Sequence, residues 1–132
     1  MKFSDYYNGV LLTEIEEIFR VSRKSIFLGK RNRQIMYAKR MYIAVLRNLF
    51  ALTYQEIGDL TNLSHASALH HSKISDFFRG IYVEDEETYK RIKNRLNEVG
   101  GEARITQLLQ DNAKIKKELL EMYNLKIENN EQ

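Results

Sequence analysis

Two helix-start signals, at Thr53 and Ser64, stand eleven residues apart. That spacing leaves room for one short helix, one tight turn and the start of a second helix. Thr53-Tyr54-Gln55-Glu56 is a capping box: the threonine oxygen accepts a backbone N–H while the glutamate reaches back to the cap. The short helix is expected to end about Thr61, with Asn62-Leu63 as the turn. Ser64 is then the N-cap of a helix running to Arg79 and stopped by Gly80.

The segments on either side read as further helices. Leu12, Ile15, Ile18 and Phe19, with Glu14, Glu16 and Glu17 between them, predict a short amphipathic helix over 11–21. A short helix is expected over 25–28, ended by Gly29, and Lys30–Arg33 reads as a basic loop. Ile35, Ala38, Met41, Tyr42, Val45, Leu46 and Leu49 form one apolar stripe over 35–50, with Lys39, Arg40 and Arg47 mostly off it. Glu84-Asp85-Glu86-Glu87 puts negative charge where a helix macrodipole favours it. That helix is expected to reach Val99 and break at Gly100-Gly101, and a last helix to run over 102–129. No segment alternates in the manner of a strand, so the fold class is all-α.

Several function classes are excluded early. Cysteine is absent, which removes disulfides, thiolate nucleophiles and Cys-ligated zinc. No apolar run approaches the roughly 20 residues that span a bilayer. The Met1–Asp5 start lacks the apolar stretch of a signal peptide, so the cytoplasm is expected. His65 and His70, five apart, lie about 140° around a helix and do not converge on a metal. Asp76 with His71 or Ser72 makes no catalytic triad. No enzyme activity, metal, cofactor or small-molecule substrate is expected.

The helix pair around Asn62 carries the functional reading. Ile57 and Leu60 are placed to anchor the first helix, and Gly58 is small where the second crosses closely. Leu63 plugs the turn, while Ala68 and Leu69 face inward. This is the pattern of a helix-turn-helix; the alternative is an ordinary hairpin inside a bundle. It leaves Ser64, His65, Ala66, Ser67, His70 and Lys73 near the exposed half that enters a major groove in such motifs.

Charge supports a polyanionic partner. Between Ile18 and Gln55 stand nine basic residues and no acid, although the chain nets only +3. Such a block is either a solvated cationic face or a nucleic-acid footprint. Arg31, Arg33, Lys39, Arg40 and Arg47 are the candidates to neutralise phosphates. Tyr37, Tyr42 and Tyr54 lie among or beside the basic residues, as core or as stacking platforms for unpaired bases.

A run of residues also resembles a family. Phe19-x-Val21-Ser22, Lys30-Arg31, Ile35, Ala38-Lys39-Arg40-Met41, Glu56-Ile57-Gly58, His65-x-Ser67 and His70 are similar to the C-terminal DNA-binding domain (domain IV) of the bacterial replication initiator DnaA. The resemblance covers residues 12–74 and is nearly gapless. It implies a Trp-repressor-like helix-turn-helix bundle and recognition of short duplex boxes. On that resemblance Lys39, with Arg40 beside it, takes the place of an arginine that reaches a minor groove. Arg47 takes the place of a backbone-contacting lysine. Ser64-His65-Ala66-Ser67 stands where the family has Asp-His-Thr-Thr. The histidine is kept, the aspartate is not, and the Ala66 methyl can still meet a thymine methyl. The turn before it is one residue shorter. The family's particular box is therefore not carried over, while double-stranded DNA binding is. About eleven residues precede the resemblance and no Gly-x-x-x-x-Gly-Lys-Ser/Thr phosphate loop occurs. The expectation is a stand-alone domain over 1–82, followed by a helical extension over 83–132.

In that extension Ile105, Leu108, Asn112, Ile115, Leu119 and Met122 alternate by three and four, as the a and d positions of a coiled coil do. A homodimer through residues 102–129 and a helix folded back on the domain both fit. Three rival functions remain open from sequence: a generic helix-turn-helix transcription regulator, a protein-interaction adaptor that has lost DNA binding, and RNA binding through the basic segment.

Overall fold

The structure, a computed structural model, describes residues 1–28 and 32–130, the last three by backbone alone. Its elements are α1 (Asp5–Phe19), α2 (Arg23–Phe27), α3 (Arg33–Asn48), α4 (Tyr54–Thr61), α5 (His65–Ile81) and α6 (Val83–Asn130). The chain is all-α, and no strand occurs among the described residues. No helix is long and apolar enough to cross a membrane. Two compact units are formed, residues 1–96 and 97–132.

The first unit is built around α3, which packs on α1, α2, α4 and α5. The contiguous run Met41–Leu46 is buried on every side of the helix, wider than the single stripe expected from spacing. A helix apolar all round belongs in the middle of a bundle. Leu11, Leu12 and Ile15 of α1, Ile26 of α2, Ile57 of α4 and Ala68 of α5 close around it. Tyr89, Ile92 and Leu96 of α6 join the same core. The first unit therefore runs past residue 82, because three of its core side chains come from the helix that follows. Polar links tie α1 into place. The Tyr42 hydroxyl donates to Asn8 Oδ1 at 2.6 Å, and Glu14 faces Arg91 and Arg95 of α6.

Several boundaries differ from the sequence expectation. α1 begins at Asp5 rather than 11, because Ser4 caps it by accepting from the Tyr7 amide. α3 begins at Arg33, capped by Asn32, whose Oδ1 accepts from Ile35 N at 2.9 Å. Gly80 lies inside α5, and Gly100-Gly101 lie inside α6 instead of breaking it. A glycine costs a helix only about 1 kcal/mol against alanine. Without proline or a competing cap, the strong helix formers on either side carry the helix through. Residues 97–130 are thus helical without interruption.

Candidate nucleic-acid interface

The geometry of the α4–α5 pair starts at its caps. Thr53 accepts from Glu56 N, and Glu56 Oε1 accepts from Thr53 N, both at 3.1 Å. The capping box is therefore reciprocal, and α4 starts at a fixed residue. Asn62 ends α4 in the left-handed region at φ 57°, which asparagine tolerates better than most side chains. The Leu63 amide returns to Gly58 O at 2.9 Å. A Cβ built on Gly58 would stand 2.5 Å from Leu63 O and 3.5 Å from His65 N. Only glycine lets the turn lie this close to α4. Ser64 then caps α5, its hydroxyl accepting from Ser67 N at 3.1 Å and bonding the Ser67 hydroxyl.

α5 buries Ala68, Ser72 and Ser75 toward α3 and α4. Its other side begins with Ser64, His65 and Ala66, all exposed, and continues through His70 and Lys73. Ser67 is half-buried, its hydroxyl tied to the cap. No acidic residue occurs from Leu60 to Ser75. Phe77, one turn beyond Lys73, extends the same face and is 63% exposed. Sequence reasoning did not mark it, although its i+4 and i+7 spacing from Lys73 and His70 was there to be read. Leu60, expected as an anchor, is 37% exposed. Its place is the outer face of α4, because Ile57 and Thr61 take the inner one. Leu63 packs against the core as the turn plug, and Leu69 is half-buried.

The basic candidates separate into two groups. Arg33 is exposed at the first position of α3. Arg31 lies outside the described residues, as does Lys30. Lys39, expected off the apolar stripe, is only 8% exposed, because α3 is enclosed on that side too. Burial lowers its pKa below the ordinary lysine value. Arg40 is half-buried; its Nε donates to His71 Nδ1 at 3.4 Å, and its guanidinium stands 5.9 Å from the Phe78 ring centre. Arg47 is half-buried, donates to Leu52 O at 2.9 Å and stacks 4.4 Å over the Tyr54 ring. The expectation of an outward place is corrected for Lys39, which is buried; Arg40 and Arg47 are half-buried and also engaged within the protein. Arg40 links α3 to α5, and Arg47 links α3 to Tyr54 of α4 and to the loop before it.

His71, between α3 and α5, is held below the ordinary histidine value by burial first, then by Arg40, Lys39 and His70. A neutral imidazole fits its part as an acceptor from Arg40. Of the tyrosines, Tyr42 is buried, Tyr54 carries Arg47, and Tyr37 is 42% exposed. Among the described residues no cluster of three His, Asp or Glu side chains is placed to hold a metal ion.

No known protein-family model matches the chain, and no curated protein matches its sequence.

Proposed function

We propose that this chain is a sequence-preferring double-stranded DNA-binding protein, related to the initiator domain it resembles. In this reading the first two turns of α5 lie in a major groove. The supporting observation is the start of α5. A cap, a reciprocal capping box before it and the Gly58 approach fix a helix end whose outer surface is polar, small and free of acids. Such an end admits the edge of a base pair closely and is not repelled by phosphate.

Each exposed residue has a role in that pose. His65 and Lys73 donate to base edges or flanking phosphates, the Ala66 methyl meets a thymine methyl, and Ser64 and His70 serve the rim. Arg33 neutralises a phosphate, joined by Arg31 from the same basic stretch. Arg40 and Arg47 act on the duplex through the helices they hold in place, and Lys39 is withdrawn from the surface. A cytoplasmic site of action goes with this reading.

Random-duplex selection tests it, with the wild type beside a His65→Ala, Lys73→Ala double variant. Enrichment of a sequence by the wild type and its loss in the variant is the expected result. Equal enrichment in both moves the reading surface elsewhere. A protein-interaction adaptor is the second reading, favoured by the inward engagement of three of the basic candidates. It predicts that the chain retains no duplex at low salt.

A further inference from the structure

Residues 97–130 carry a surface that DNA reading does not use. Ile105, Leu108, Ile115, Leu119 and Met122 are each more than half exposed, on one continuous helix. They recur by three and four around Asn112. Ile105, Asn112 and Leu119 take the a position of a heptad, and Leu108, Ile115 and Met122 take d. A contiguous apolar stripe of this kind marks an interface rather than a solvated face. We infer that it is the seam of a parallel, in-register coiled coil with a second copy of this chain.

The flanking charges choose the occupant and its direction. In the same register Asp111 falls at g and Lys116 at the e position five residues on. A parallel, in-register pair sets g of one helix against that e of the other. Asp111 then meets the second copy's Lys116, twice by symmetry. Glu118 meets the second copy's Tyr123 hydroxyl in the same way. Asn112 faces its own copy, and the two amides satisfy each other. The antiparallel pairing that matches the same apolar layers does the reverse. It sets Asp111 beside the second copy's Glu118 and leaves Asn112 against Ile115, an unpaired amide in an apolar layer. Buried polar groups without partners and like charges at the flank both disfavour it. A different protein as occupant has no such internal complement to explain. The seam covers 18 residues, about 27 Å of helix, and Leu109 and Tyr123 at e widen it.

Sedimentation equilibrium of the full chain at micromolar concentration reads the assembly without reference to DNA. Its failure is therefore distinct from failure of the proposed function. The expected mass is twice the 15.7 kDa of one chain. The mass of one chain, or of three or four, overturns the inference. Leu119→Glu places a charge in the seam and shifts the mass to that of one chain. Direction is read by oxidation, which the absence of native cysteine makes clean. Asn112→Cys is expected to cross-link to its copy, and Lys114→Cys, on the opposite side of the helix, to stay single. Equal cross-linking of both, or of neither, overturns the parallel register.

Discussion

The Arg47 guanidinium of α3 stacks 4.4 Å over the ring of Tyr54, the first residue of α4. Its Nη1 also donates to the carbonyl of Leu52 in the loop between those helices. One side chain thus fixes where α4 departs from α3. Arg47→Ala removes the stacking and leaves the Leu52 carbonyl short of a donor, at an expected cost of about 1–2 kcal/mol. Chemical denaturation reads that loss. The salt dependence of duplex binding separates this role from phosphate contact. Arg33→Ala and Lys73→Ala should each flatten the slope of log affinity against log salt by about 0.9, and Arg47→Ala should leave it unchanged.

Gly58 is the second clamp. The absence of a Cβ makes room for the Leu63 carbonyl oxygen, which would stand 2.5 Å from a Cβ built there. Gly58→Ala forces backbone apart, because no flexible side chain stands there to yield. A cost of about 1–3 kcal/mol is expected, or roughly 4–8 °C of melting temperature per kcal/mol in a domain of this size. Gly80→Ala, where an added Cβ meets nothing, should hold or slightly raise the melting temperature.

This clamp also marks how far the sequence could be read. The capping box, the Asn62 turn, the Ser64 cap and the small residue at Gly58 are local features, and local spacing suffices to recognise them. The fates of Lys39, Arg40 and Arg47 are not local. Helical spacing puts them off the main stripe, and only the packing of α1, α4 and α5 around α3 shows that their side is covered, fully at Lys39 and in part at Arg40 and Arg47. The Gly100-Gly101 break failed for a third reason. Glycine weakens a helix without ending it, and no cap or proline stood ready to end it. The contribution of Tyr89, Ile92 and Leu96 to the first unit's core was likewise hidden, since a pattern shows an apolar face without naming what it packs against.

Acid should loosen the α3–α5 contact. His71 is held below its ordinary value of 6.5 by burial, Arg40, Lys39 and His70. Above 6.5 it is neutral in both folded and unfolded chains and pH has no leverage. As pH falls below 6.5 the unfolded chain takes up the proton more readily, so stability declines. His71→Gln keeps an acceptor for Arg40 without the charge. Denaturation midpoints measured between neutral and mildly acidic pH should fall less in that variant than in the wild type.

Alkali acts through Tyr42. Burial pushes its phenol up to about 12, with the bond to Asn8 pulling the other way. The folded chain holds this proton where the unfolded chain, at the ordinary value of 10.0, releases it. The stability it contributes is present below 10.0 and is lost as pH rises toward 12. Tyr42→Phe removes that alkaline loss and leaves Asn8 without its donor, at about 1 kcal/mol near neutral pH. Denaturation at neutral and alkaline pH, wild type beside variant, checks both parts.

Fluorescence anisotropy of a labelled duplex, titrated with chains that gain one negative charge in different places, tests the groove-reading surface most directly. Ala66→Glu puts a carboxylate on the exposed start of α5, and Asn94→Glu puts the same charge on an exposed position of α6. Ala66→Glu is expected to abolish binding at a salt concentration where Asn94→Glu still binds like the wild type. Equal weakening by both, or no binding by the wild type even at low salt, would contradict it.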